Sequence, residues 1–253
     1  MKSDLEFNAG SYDEHAVAWE EALKTNVAHK YMEKPAMEKL LPEDLSGKKI
    51  LCIGVGSGDE IREILRRGAV SVVGVDISEK LLDFARAKFS EVDFQKLDMH
   101  DVGKTFEKES FDIVYSSLAF HYSSNWDVLL AGVYHVLKQN GLLIFSTHHP
   151  DFWGKRGPDG TFVENERGIK LTRHKAMLPG NTEVIFYNHP NKESIVEALE
   201  HVGFKNVVCR PPEVIDLSLE QKSSMQTEEL EGYEKLYKRN PEQPLFLTIR
   251  AEK

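Results

Sequence analysis

The residues with the clearest chemical meaning lie between Lys49 and Glu60. The apolar run Lys49-Ile50-Leu51-Cys52-Ile53 meets three glycines at alternate positions, Gly54, Gly56 and Gly58, and a helix-like pattern comes at once after them, with Ile61, Ile64 and Leu65 three and four apart. Strand, tight turn and helix in that order make a ligand loop. Glycine reaches torsions closed to other residues and lets backbone approach a ligand closely, and the next helix aims its free N–H groups at the same point. A second apolar run, Val72-Val73-Gly74-Val75, ends in Asp76, 18 positions after Gly58. A carboxylate there is placed to accept both hydroxyls of a ribose. The spacing argues against a dinucleotide. Gly-x-Gly-x-x-Gly would need a third glycine at position 59, which is Asp59, and a pyrophosphate at that helix N-terminus would meet an added negative charge.

Histidines offer the second candidate chemistry. His121 falls on the loop after the fourth strand-like run, His148 and His149 on the loop after the fifth, and His189 in the aromatic stretch Phe186-Tyr187-Asn188-His189-Pro190. An imidazole near neutrality suits removal of a proton from a nucleophile. His121 and His149, on loops of adjacent strands, are the catalytic candidates, with at least one of them expected to act; taken singly, each is read first as a loop histidine bonded to backbone. No spacing among the histidines matches a metal-binding motif, so no metal is expected. Tyr122, Trp126, Phe152, Trp153 and Tyr187 could form an aromatic acceptor pocket, although Trp126 also fits the apolar face of a helix.

These residues need a scaffold of alternating strands and helices. Further strands are expected at Val92–Gln95, Phe111–Tyr115, Leu142–Phe145, Val207–Cys209 and Leu245–Ile249. Ser78 reads as the N-cap of a helix carrying Leu81, Leu82, Ala85 and Phe89. A second helix presents Trp126, Leu129, Leu130, Val133, Val136 and Leu137 and is expected to stop at Asn140-Gly141, and a third runs from Asn191 to Gly203. Such alternation predicts an α/β fold with a parallel, doubly wound sheet, its ligand beyond the carboxyl ends of the strands. Two segments stand outside it. Residues 1–46 carry helical stripes (Ala16, Trp19, Leu23; Met37, Leu40, Leu41) with Pro35 in a first turn, and serve either as packing at the sheet edge or as a lid bearing Tyr12, Trp19, Asn26 and Tyr31. Residues 151–184, rich in Gly and Pro, read as an insertion or cap over the active-site face, with room for a hairpin.

Taken in order, Gly54-Val55-Gly56-Ser57-Gly58, Gly74-Val75-Asp76-Ile77-Ser78, Leu97-Asp98, Phe111-Asp112-Ile113-Val114 and Val136-Leu137-Lys138 before Asn140-Gly141-Leu142 resemble class I S-adenosylmethionine-dependent methyltransferases, in particular the methyltransferase type 11 or UbiE-like small-molecule group. The resemblance covers roughly residues 12–150. It implies a Rossmann-like, seven-stranded sheet with an antiparallel last strand; with the helical reading of the first segment, the domains are then an N-terminal lid at 1–46 and a methyltransferase domain at 47–253. It further implies S-adenosyl-L-methionine as cofactor and S-adenosyl-L-homocysteine as product. Tyr31, Gly54, Val55, Gly56, Gly58, Asp76, Ile77, Asp98, Met99, Ser116, Ser117 and His121 would then bind the cofactor, and Tyr12, Trp19, Tyr122, His148 and Tyr187 the acceptor. The family usually places an acid two residues before the first glycine, where this chain has Cys52.

Composition narrows the partners. With 32 Lys+Arg against 41 Asp+Glu, the chain of 253 residues has a formal net charge of −9. That disfavours tight binding to nucleic acid, which needs cations to replace phosphate counterions. No apolar run approaches the ~20 residues of a membrane span, and the N-terminus has no apolar core of a signal peptide. Cys52 and Cys209, isolated from one another, make no disulfide framework and suit the reduced cytoplasm. The expectation is a cytoplasmic methyltransferase, monomeric or homodimeric, that acts on a small molecule, at oxygen rather than nitrogen. A non-catalytic cofactor-binding regulator and an enzyme acting on protein or RNA are the alternatives.

Overall fold

The computed structural model describes residues 3–154, 161–164, 169–178, 181–238 and 244–253. Strands β1 (Lys49–Ile53), β2 (Ser71–Asp76), β3 (Asp93–Lys96), β4 (Phe111–Ser116) and β5 (Leu137–His148) alternate with helices in the first part of the chain. β6 (Thr161–Glu164), β7 (Lys170–Leu178) and β8 (Thr182–Asn188) come next, and β9 (Lys205–Arg210) and β10 (Phe246–Glu252) close it. Seven of these form one sheet in the order β3-β2-β1-β4-β5-β10-β9. Pairing is parallel from β3 to β5, and β10 runs antiparallel to both β5 and β9. This is the expected Rossmann-like sheet with an antiparallel last strand.

β1 shows why its sequence is an unbroken apolar run. Alternate side chains leave opposite faces of a strand, and both faces of this sheet are covered. Leu51 and Ile53 pack on one side with Val102, Trp126, Leu130, Val133, Ile195 and Leu199, which belong to helices α5 (Val102–Thr105), α6 (Trp126–Val136) and α8 (Lys192–Val202). Ile50 and Cys52 pack on the other side with Met37, Ile61, Ile64, Leu82 and Ala85, from α2 (Lys34–Leu40), α3 (Ile61–Arg66) and α4 (Glu79–Lys88). Trp126 is a core residue, its indole N–H donating to the Phe120 carbonyl at 3.1 Å. Ser78 caps α4 through the Leu81 N–H, Asn191 caps α8 through the Ser194 N–H, and Gly203 ends α8 at φ +112°, as expected.

Asn140-Gly141 does not end a helix. α6 stops at Val136, and Leu137 already begins β5, so Asn140, at φ +60°, and Gly141 lie within the strand where its register against β4 shifts. The helix stops early because Leu137 turns extended to pair with Phe111.

The two additional segments meet. Helix α1 (Asp4–Thr25) is joined to α2 by a widened π turn, His29–Glu33. The chain beyond β5 forms α7 (Pro150–Gly154) and the antiparallel sheet β6-β7-β8. Of the expected insertion, residues 155–160, 165–168 and 179–180 and the side chain of Trp153 lie outside the described residues. α1 docks on β8 through buried Asn8, whose amide donates to the Ile185 carbonyl at 2.7 Å and accepts the Ile185 N–H at 2.8 Å. Asp4 adds a two-pronged pair to Arg173 of β7, at 2.7 and 2.8 Å. α1 is also tied to α4, because Asp13 accepts the Ser78 hydroxyl and the Lys80 N–H. Two further helices, α9 (Leu219–Ser223) and α10 (Thr227–Tyr237), lie between β9 and β10 in sequence.

Candidate active site

A cavity of about 360 Å³ lies beyond the carboxyl ends of β1, β2 and β4, roofed by α1, α7 and the end of β7. Its floor is the glycine loop. The N–H groups of Gly54 and Val55 both donate to the Val75 carbonyl, at 2.8 and 3.1 Å, which pins the loop to the end of β2. Gly54 has φ +68°, and a Cβ on it would lie 2.2 Å from the Cβ of Ala119. Gly56 has φ +52°, and a Cβ there would meet nothing nearer than Leu81 at 4.0 Å, so its backbone is bare toward the cavity. Gly58 is not on the wall. It turns the chain behind the loop, against Phe89.

Asp76, at the end of β2, has both carboxylate oxygens anchored. Oδ2 accepts the Gly56 N–H and Oδ1 the Ser78 N–H, each at 2.8 Å. Burial raises its pKa despite these bonds. Each oxygen keeps a lone pair for a further donor. Ile77, Leu97, Asp98 and Met99 continue the wall. Burial acts to raise the Asp98 carboxyl as well, but hydrogen bonds from the His100 ring and N–H, at 2.7 and 2.9 Å, bring it below the usual range.

The opposite wall is made by the loop after β4 and the end of β5. Leu118 sits at φ +48°, a strained value for a non-glycine residue, held by its N–H donating to the Ser146 hydroxyl at 2.9 Å. His121 and His148 both line the cavity and stack on one another, ring centres 3.9 Å apart, with Phe186 against both edges. Burial holds the His121 imidazole well below its ordinary pKa and pushes His148 down to about 3, so both are neutral at physiological pH. The hydroxyls of Tyr12 and Tyr122 meet at 2.5 Å, and Trp19 packs edge-on against Tyr12, which places all three at the cavity.

Several expected site residues lie elsewhere. His149 is off the wall. β5 runs through His148, and the next residue turns away, its N–H donating to Leu245 and its Nδ1 accepting from Asp151. The histidine partner of His121 is therefore His148. Tyr187 points from β8 toward Asp4, to which its hydroxyl donates. Tyr31 is turned by the π turn onto Tyr233 and donates to Glu229 at 2.7 Å. Ser116 is buried in the core, its hydroxyl donating to the Ile53 carbonyl, whereas Ser117 and Val55 reach the cavity.

The structure adds an acidic corner that the motifs did not single out. Asp59 and Glu60, directly after the glycine loop, line the cavity together with His29. Glu33, 0% exposed, accepts the hydroxyls of Ser117 and Ser146, and its other oxygen lies 2.8 Å from His29 Nδ1. His29 Nε2 contacts Asp59 at 3.0 Å, and Lys34 contacts the same carboxylate at 2.6 Å. Burial opposes a charge on His29, but Asp59 and Glu33 outweigh it and push the imidazole up to about 10. Glu60 has one enclosed carboxylate oxygen without a hydrogen-bond partner, and burial pushes its carboxyl up to about 8. The only sequence signal for this corner was the pair of acids directly after the glycine turn.

Comparison with known proteins decides what kind of domain this is. Residues 51–145 match the family model described as a methyltransferase domain. The matched stretch, from β1 to β5, is similar to S-adenosylmethionine-dependent methyltransferases. A methyltransferase of that dependence from Mesorhizobium loti superposes with a TM-score of 0.61 at 26% identity, over 87% of this chain and 97% of that one. An uncharacterized protein of Haemophilus influenzae is 41% identical over 130 residues, 47% of this chain and 49% of that protein. The tRNA N(3)-methylcytidine methyltransferase trm140 of Schizosaccharomyces pombe is 32% identical over 126 residues, 45% of this chain and 40% of that protein. The chain thus spans about half the length of the curated relatives it matches.

The cavity fits S-adenosylmethionine. Gly56 leaves bare backbone where a side chain would intrude, Asp76 keeps two acceptors for a ribose, and an unpaired buried carboxylate oxygen suits a cationic end. Among the described residues no group of three or more His, Cys, Asp or Glu is arranged to hold a metal, and no helix is long and apolar enough to cross a membrane.

Proposed function

We propose that this chain is an S-adenosylmethionine-dependent methyltransferase acting on a small-molecule acceptor through an oxygen nucleophile. The observation that carries this reading is a single cavity with the glycine loop and Asp76 on one wall and the His121–His148 stack on the other. The bound cofactor supplies a methyl group already activated on a sulfonium. What remains for the protein is orientation, worth ~7–11 kcal/mol when reacting atoms are held in line, and removal of the acceptor's proton. Asp76 and Asp98 hold the nucleoside. His121, neutral and facing the cavity, accepts the proton, and His148, stacked on it, keeps the ring in place. Tyr12, Tyr122 and Trp19 supply an aromatic seat for the acceptor. α1 and the β6-β7-β8 sheet exclude water above the reacting atoms.

Enclosure favours a small acceptor. The roof residues Tyr12, Trp19 and Leu178 belong to the same cavity as the loop, which leaves a chamber rather than an open groove. Its volume falls near the lower end of the ~300–1,000 Å³ typical of small-ligand sites. The formal charge of −9 works against the tRNA substrate named for the yeast relative. The test supplies the protein with S-adenosylmethionine labelled in its methyl group, together with small-metabolite extract, total tRNA or total protein. Label is expected in the metabolite fraction. Label in tRNA or protein instead would overturn the acceptor class, and label in none would overturn the activity.

A further inference from the structure

The acidic corner takes no part in methyl transfer as proposed, and its construction is unusual. Three elements converge there: the π turn His29–Glu33, the glycine loop through Asp59 and Glu60, and the loop after β4 through Ser117. Glu33 and Asp59 each lie against a cation. Glu33 accepts Ser117 and Ser146 on one oxygen and has His29 at ion-pair distance from the other, and Asp59 takes His29 and Lys34. Glu60 is the exception. It lines the cavity with an enclosed oxygen that has no partner, a costly state for a buried acceptor. The residues that face it are Asp59 on its own loop, His29 and Glu33 on the π turn, Cys52 on β1 and Tyr115 on β4. The one cation among them, His29, is already held between two other carboxylates. A cation carried by a ligand would supply the missing partner.

We propose that Glu60, backed by the Glu33–His29–Asp59 chain, binds the ammonium of the cofactor's amino-acid end. This rests on the methyltransferase reading and names the residue that substitutes for the acid absent at Cys52. Cys52 cannot do so: it is wholly buried in the core between β1 and α3, away from the cavity wall. The geometry also orients the ligand, with its ribose toward Asp76, its ammonium toward Glu60 and its sulfur between them, facing Ser117 and His121. A second consequence comes from charge. With its carboxyl pushed up by burial, Glu60 is largely protonated in the free protein near pH 7, and an arriving ammonium favours the carboxylate. Binding at neutral pH then releases a proton.

Calorimetry on the full chain tests this with two ligands, S-adenosylhomocysteine and 5′-methylthioadenosine, which keeps the thioether nucleoside but lacks the amino-acid end. Glu60→Gln preserves shape and removes charge. It should weaken S-adenosylhomocysteine about 10- to 100-fold, in the range of a charged hydrogen bond, and leave 5′-methylthioadenosine within about twofold. Glu60→Asp, which keeps the charge, should recover part of the loss, and it carries the comparison if the glutamine variant does not fold. Titrations at pH 7 in two buffers of different ionisation enthalpy should show proton release by the parent and less by Glu60→Gln. Unchanged S-adenosylhomocysteine affinity in Glu60→Gln, or equal loss for both ligands, would overturn the proposal. Failure of the parent to bind either ligand would overturn the methyltransferase reading and this assignment with it.

Discussion

Replacing Asp76 by asparagine tests the nucleoside site without changing side-chain shape. Oδ1 accepts the Ser78 N–H and Oδ2 the Gly56 N–H, each at 2.8 Å. Both oxygens also have capacity for one ribose hydroxyl. An amide nitrogen in either place donates and cannot accept. It would face a backbone N–H, and one hydroxyl would lose its acceptor. A hydrogen bond to a charged group contributes ~1.5–3 kcal/mol net, so Asp76→Asn should weaken S-adenosylhomocysteine about 10- to 150-fold. The loop loses a bond of the same kind even without ligand. At ~2–4 °C per kcal/mol for a chain of this size, the thermal midpoint should fall by about 3–12 °C. The assay is calorimetry of parent and variant with S-adenosylhomocysteine and its 2′,3′-dideoxy analogue. The parent should prefer the hydroxylated ligand, and the variant should lose most of that preference. Equal discrimination by both proteins would refute the role of Asp76 in holding the ribose.

The same geometry predicts three further outcomes. Gly54→Ala places a Cβ 2.2 Å from that of Ala119 at φ +68°; left-handed strain of ~1–2 kcal/mol and overpacking of ~1–3 kcal/mol should together lower the thermal midpoint by several degrees, and an unchanged melting curve would contradict the close approach. Glu60, raised from 4.5 to about 8, contributes stability to the free protein that is fully present below 4.5 and is lost as pH rises toward 8. Glu60→Gln should flatten that slope relative to the parent in denaturant titrations, and parallel curves would show that the carboxyl is not buried as described. His121 and His148 are both neutral well below pH 6.5, so turnover should show no ascending limb through the ordinary histidine range, while His121→Ala lowers it ~10²–10⁴-fold. A limb near pH 6.5 that vanishes in His121→Ala would mean that His121 is more hydrated than its burial implies.

Much of the sheet was legible because each central strand is buried on both faces, and burial on both faces writes an apolar run that needs no partner to be recognised. Asp76 was legible for a related reason: a lone carboxylate ending such a run has few structural uses. Parity was harder. His148 and His149 are adjacent, and which of them faces the cavity depends on how far β5 continues, which is fixed by Phe246 of β10 pairing opposite His148, nearly a hundred residues later. The hairpin expected in the insertion is β7 with β8, but its bounds were not legible, because the seven residues of β8 mix Glu183, Tyr187 and Asn188 with apolar side chains and its burial is supplied by α1 through Asn8. Tyr31 was misplaced because a π turn adds a residue to the helical repeat and rotates the side chains beyond it, and no local propensity marks that turn. The acidic corner was hidden for the same reason: Glu33 reaches Ser117 and Ser146 only through long-range packing.

The most direct measurement is a crystal structure of the chain grown with S-adenosylhomocysteine. The account predicts the adenine beside Asp98 and Met99, the ribose hydroxyls on the two oxygens of Asp76, and the thioether sulfur facing His121 stacked on His148. A ligand bound in the reverse sense, with its adenine at Glu60, or bound outside this cavity, would contradict it.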